Sequence, residues 1–236
     1  MKFSDLREKH RAAKKRPKGL RFFGELNEEG REFAVSEEQT SGKRFDWDDA
    51  KFLTEDFKEQ LVERGFGNLE VYWSLGSCQG DGVAFYGRVW AQDLKAKDEQ
   101  ARSLIERLER VGDDIVIEIT GANNRYHHWN SMTVEIEFDS ELDDEELPAR
   151  MKIARPVWRE EFEEYLSEQV KEISRELERY GYAEIEYRTS EEAIKQDLSE
   201  REHLYAKHGE RVMDEFEFYK WSKTVNQAAH LEKICC

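Results

Sequence analysis

Two stretches constrain the fold more than any others. DIVIEIT (114–120) and MTVEIEF (132–138) alternate apolar and polar residues, the period of a pleated strand with one face in a core and one in water. Such strands read as antiparallel neighbours, and a sheet with one solvated face requires a partner layer on the other. LEVYWSL (69–75) and VAFYGRVW (83–90) are aromatic and β-branched, so they add two more strands.

Helical spacing supplies the second layer. Trp47, Ala50, Leu53, Phe57 and Leu61 recur at steps of three and four, with Asp46 as the cap. Ala101, Leu104, Ile105 and Leu108 mark a helix over 95–110. Trp158, Phe162, Leu166, Val170, Ile173, Leu177 and Tyr180 mark a long one beyond the acidic linker ELDDEELPAR (141–150). Thr189 and Glu192 offer a capping box for a further helix. LRFFGELNEEGREFAV (20–35), broken by Gly24 and Gly30, reads as short strands or an irregular hairpin. YAEIEY (182–187) is open between strand and helix, and the type of EFEFYKW (215–221) is undecided. The expected fold is α+β: an antiparallel sheet of about four strands with helices packed on one face, plus a basic N-terminal arm. The expected organisation is an arm over 1–21, a sheet core over 22–145, and a mainly helical part over 146–236 packed on that core.

Charge separates the arm from the rest. Residues 1–21 carry nine Lys and Arg against Asp5 and Glu8, a net +7 within a chain of net −16, which leaves −23 elsewhere. Such a body repels nucleic acid and membrane surfaces, so contact with nucleic acid is expected only through the arm, at Arg11, Lys14, Lys15, Arg16 and Lys18. Docking of the arm on the acidic body is the rival reading. An aromatic content of 12% argues for a packed core despite 38% charged residues. Three Cys with no paired spacing, no apolar run long enough to span a bilayer and no apolar N-terminal segment point to a soluble protein of a reducing cytosol. A homo-oligomer is compatible with the long acidic helices, although their spacing is too irregular for a sustained coiled coil.

Two loops carry the unusual chemistry. GSCQGDG (76–82) holds three glycines, Cys78, Gln79 and Asp81. It is neither a P-loop nor a nucleophile elbow, and on its residues alone it reads first as a glycine turn whose Asp caps its own backbone. GANNRYHHWNS (121–131) is long for a hairpin loop and rich in aromatics. In an extended segment His127 and His128 point to opposite faces, which makes them poor joint ligands. His203 and His208 match no zinc spacing. No metal or cofactor is expected.

Three separated stretches resemble a family of small proteins encoded by tailed phages and prophages, often labelled antitoxins of a toxin–antitoxin stability system. The family's loop, S-Q-G-D-G-x-x-F-x-G, is similar to Cys78–Gly82 with Phe85 and Gly87, with Cys78 where Ser is more usual. Its R-Y-x-H-x-x-x-M block is similar to Arg125, Tyr126, His128 and Met132, and its E-Y-x-T-S-x-E-A block to Glu186, Tyr187, Thr189, Ser190, Glu192 and Ala193. The resemblance implies a phage origin, a small α+β fold, and a shared polar site made of Gln79, Asp81, Arg125, Tyr126 and His128. The expected function is that of an accessory protein that binds and inhibits a host or defence-system protein by direct contact, as an anti-CRISPR-like inhibitor does. An antitoxin neutralising a cognate toxin is the alternative, and a hydrolase using the loop site a more distant one. No catalytic residue is assigned.

Overall fold

A computed structural model describes residues 17–41, 45, 47–78, 80–121, 126–141 and 147–223. Its elements in chain order are α1 (Glu28–Thr40), α2 (Trp47–Glu63), β1 (Glu70–Ser74), β2 (Gly82–Trp90), α3 (Ala91–Lys95), α4 (Glu99–Leu108), β3 (Gly112–Gly121), β4 (Met132–Glu141), α5 (Ala149–Thr189), α6 (Glu191–Glu200), β5 (Leu204–Tyr205), β6 (Arg211–Met213) and α7 (215–223). Residues 47–185 form one compact unit, and residues 17–45 join 186–223 in another. Of the basic arm, Arg11, Lys14, Lys15 and Arg16 lie outside the described residues, and Lys18 is exposed. Among the described residues no helix is long and apolar enough to cross a membrane.

The first unit is an α+β sheet. Its four strands lie in the order β1-β2-β3-β4, each antiparallel to the next. Ile117 faces Ile136 and Ile119 faces Val134 across β3 and β4, while Glu118 faces Glu135 on the opposite side. Every one of those isoleucines and Val134 is buried, as are Val83, Phe85 and Val89 of β2. Helices cover this apolar face through Leu53, Phe57 and Leu61 of α2, Leu104, Ile105 and Leu108 of α4, and Phe162, Leu166, Val170 and Leu177 of α5. The other face mixes charge with aromatic rings: Arg88 reaches Glu118 and Glu137, both at 3.5 Å, and Tyr72 lies 5.6 Å from Tyr86. A one-residue slip of register would expose the whole isoleucine set, so the alternation fixes the pairing.

Side chains of α5 close the edge strand β4. The Ile136 N–H donates to Glu163 Oε1 at 3.0 Å, and Arg159 donates to the Ile136 carbonyl. An edge strand with its backbone groups so occupied is a poor template for pairing with another chain. Asp98 caps α4 by accepting from Gln100 and Ala101 N–H groups at 2.8 and 3.0 Å, and Tyr165 of α5 donates to its second oxygen.

Several expectations need correction. The segment 20–35 holds no hairpin: a 3-10 turn at Phe23–Glu25 leads into α1, and the only bridge there pairs Arg21 with Tyr205. Asn27 starts α1 by accepting from the Gly30 N–H at 3.0 Å, with Glu28 and Glu29 in the first turn where a helix dipole favours them. The helix expected over 95–110 begins only at Glu99, after the short α3, because Asp98 is its cap. Ser190, rather than Thr189, caps α6, accepting from Ala193 N–H at 3.2 Å. Two segments that the sequence leaves open are helical: 182–187 continue α5, and EFEFYKW lies in α7, where Asp214 just before the helix and Glu217 within it bond reciprocally to each other's N–H. Trp47 is not part of the core stripe: it is 76% exposed at the first turn of α2.

The second unit gathers Phe23, Leu26, Ala34, Val35, Ile194, Leu198 and Tyr205 into a small core. His203 is also buried there, at 6% exposure. Burial, followed by the nearby Arg211 and Arg201 charges, holds its pKa below 6.5, against smaller opposing effects of Glu38 and Asp214. Below pH 6.5 the unfolded chain takes up the proton that folded His203 resists, so this unit loses stability as pH falls and keeps it above that value. We expect its melting temperature to drop between pH 7.5 and 5.5, and the drop to shrink in His203→Phe. Equal pH dependence in both proteins would remove His203 as the cause. Burial pushes the Tyr205 phenol up to about 12, so its hydroxyl stays protonated at every physiological pH.

Candidate functional site

The β1–β2 and β3–β4 loops leave the same end of an antiparallel meander, and in the structure they lie against each other. A Cβ on Gly80 would stand 2.5 Å from the Tyr126 ring, and one on Gly82 would stand 2.9 Å from the His128 Cα. Glycine is what lets the two loops approach this closely.

Asp81 organises the first loop. Its Oδ2 accepts from the Gly76 and Cys78 N–H groups, both at 2.7 Å, and from the Tyr182 hydroxyl at 3.4 Å, while Oδ1 accepts from the Ser74 hydroxyl at 2.7 Å. The Cys78 N–H, then the Ser74 hydroxyl, hold the carboxyl below its ordinary value despite some desolvation, with smaller help from Gly76 and Tyr182. Donors of this kind stabilise the ionised form. Asp81 is therefore a charged tie between the two strand ends and α5, with both oxygens engaged.

The second loop is a compact turn with aromatic arms. The His128 carbonyl accepts from the Ser131 hydroxyl at 2.7 Å and from the Ser131 N–H at 2.9 Å, and its Nδ1 accepts from the Asn130 N–H at 3.1 Å. That bond leaves the proton of the neutral ring on Nε2. His127 turns the other way and stacks on Tyr72 at 5.3 Å. Arg175 of α5 lies over the Trp129 ring at 4.2 Å, a cation–π contact that fixes the loop from the helix side.

Of the residues expected to share a site, Tyr126 and His128 lie together, with ring centres 6.3 Å apart, beside the loop that Asp81 braces. Gln79 and Arg125 lie outside the described residues. Tyr126 is 41% exposed and His128 half-buried. Sequence reasoning missed Ser74, Tyr182 and Arg175. The one available signal was the polar tip of β1 opposite a loop Asp, because Tyr182 and Arg175 are brought in by α5 from distant sequence. Among the described residues no group of three His, Cys, Asp or Glu side chains is placed to hold a metal ion. Chemically, the end of the sheet offers an aromatic and imidazole surface on a braced backbone.

No curated protein and no solved structure matches the chain. A family model matches residues 49–193, which covers β1 to β4, both loops and all of α5, and the chain accordingly belongs to the family described as Domain of unknown function (DUF8835).

Proposed function

We propose that this protein works by binding another protein through the paired loop tips, as a phage-encoded accessory protein that inhibits a host defence component. The observation that supports this most is the bracing of the two loops. Asp81 ties the first loop to Ser74 and Tyr182, and Arg175 holds the second through Trp129. Exposed aromatic rings on a braced backbone have few rotatable bonds to freeze on docking, which is why they serve as anchors in interfaces. The acidic body, net −16 over the chain, steers association toward a basic cleft. The phage setting rests on the motif resemblance alone.

The test is expression in a host that carries a defence system, followed by phage challenge and recovery of the bound host protein. We expect relief of defence, and a stoichiometric complex whose affinity falls at least about tenfold in Tyr126→Ala/His128→Ala, the range of an interface anchor, with a cooperative melting transition retained. Intact defence, or unaltered affinity in the double variant, overturns the proposal. Rescue of growth from a toxin encoded beside this gene, with defence intact, would instead assign the antitoxin role.

A further inference from the structure

In the unit built from residues 17–45 and 186–223, α1 and the β5–β6 hairpin enclose a cavity of about 90 Å³. Its polar lining includes Glu37 and Glu38 of α1, Tyr205 of β5 and Arg211 of β6. Tyr205 is 2% exposed, and its hydroxyl has no hydrogen-bond partner among the described residues. Buried hydroxyls are nearly always paired, and an unpaired one beside a cavity points to something that fills the cavity.

Charge selects the kind of guest. Two carboxylates against one guanidinium leave the lining net negative. The closest approach of Arg211 to Glu38 is 3.6 Å, an ion pair longer than a hydrogen bond, so Glu38 keeps acceptor capacity. Arg211 is also the more exposed partner, at 42% of its side chain against 17% for Glu38. A guest anion would have to displace that pairing and face both carboxylates. A primary ammonium brings three donors to three acceptors, the two carboxylates and the phenol oxygen.

We infer that this cavity is a binding site for a primary ammonium group, the end of a lysine side chain or a small alkylamine. The site is independent of the loop tips and of the function proposed for them. Water molecules would also satisfy Tyr205, and the cavity has room for more than one. Water, however, gives no preference for a charged guest, and that preference is what the test measures.

The full chain is titrated with N-acetyl-lysine methylamide and with its Nε-acetylated, uncharged analogue, followed by ligand-observed NMR and calorimetry. Sodium acetate serves as the anionic probe. Binding of the charged probe alone is expected. Glu38→Gln should weaken it about tenfold and Tyr205→Phe about fivefold, as expected for losing an ion-paired acceptor and an uncharged phenol acceptor of the ammonium. Tyr205→Phe keeps the ring that packs on Phe23, and its melting curve checks that the unit remains folded. Arg211→Gln discriminates most sharply: it removes a competing cation, so ammonium binding should strengthen. Equal binding of the two lysine probes, no binding of the charged one, or acetate binding that Arg211→Gln abolishes would each overturn the inference.

Discussion

Replacing Phe57 by alanine is expected to destabilise the sheet unit by about 3–5 kcal/mol, the range for removing a buried aromatic ring. Phe57 is fully buried and joins three elements. It meets Trp73 of β1 edge-on at 6.3 Å and Tyr180 of α5 at 6.1 Å. The same Trp73 is held to α2 by its indole N–H, which donates to Thr54 Oγ1 at 2.9 Å. Gly181 of α5 lies against the tip of the ring, where an added Cβ would stand 2.9 Å from Phe57 Cζ and 2.5 Å from Leu75 Cδ1. The surroundings are thus pinned from several sides and cannot collapse into the space left by the ring. Gly181→Ala alone should destabilise by about 1–2 kcal/mol, overpacking outweighing the gain in helix propensity. In a Phe57→Leu background the nearer ring atom is gone, so the two changes together should cost less than their sum. Urea unfolding of the parent, Phe57→Leu, Gly181→Ala and their double variant measures this cycle, and Phe57→Ala is unfolded beside them. A cost for Phe57→Ala below about 1 kcal/mol, the typical effect of an ordinary substitution, would refute the three-way packing.

What the sequence made legible was periodic and local. The alternation in 114–120 and 132–138 fixed which residues of β3 and β4 face the helices, and the observed register pairs those residues. The three- and four-residue spacing located the buried stripe of α5 from Phe162 to Leu177. The same rule misplaced Trp47, because spacing says which side of a helix a residue lies on but not whether a sheet extends under that turn. Residues 22–35 misled for another reason. Their Phe and Val content favours strand and Gly30 suggests a break, yet the Asn27 cap and the packing of Gly30 against the Lys207 carbonyl decide for helix. Only the cap is visible locally. The TS pair at 189–190 contains two competent caps, and the Thr189 hydroxyl instead bonds back to the Glu186 carbonyl, prolonging α5 by one residue. At the candidate site, the shared end of the two loops follows from an antiparallel strand order. Of the partners of Asp81, the Gly76 and Cys78 N–H groups follow from a turn whose Asp caps its own backbone, whereas Tyr182, 101 residues away, does not.

The contact between the loops predicts a rank order among three neighbouring glycines, with Gly82→Ala the most damaging. Gly82 has φ +152°, a conformation that strains any residue with a side chain, and its missing Cβ faces His128 Cα at 2.9 Å and the His127 carbonyl at 3.0 Å. Those are backbone atoms, which move only if the whole β3–β4 loop moves. Strain and displacement together should cost about 2–4 kcal/mol. Gly80→Ala would meet only the Tyr126 ring, at 2.5 Å, and a half-exposed ring can swing aside. Its cost should be smaller, arising mainly from φ +100°, about 1–2 kcal/mol. Gly76→Ala would place its methyl 3.7 Å from Asp81 Oδ2, an ordinary contact, and should stay within about 0.5 kcal/mol of the parent. Urea unfolding of the three variants gives the order directly. Equal effects at Gly82 and Gly76 would mean that the loops do not touch. The expected order would mean that the QGDG glycines exist to seat one loop upon the other, so that Asp81 braces a two-loop surface and not a lone turn. On that reading Gly82→Ala should also reduce binding of a protein partner more than Gly76→Ala does, although neither glycine has a side chain to offer it.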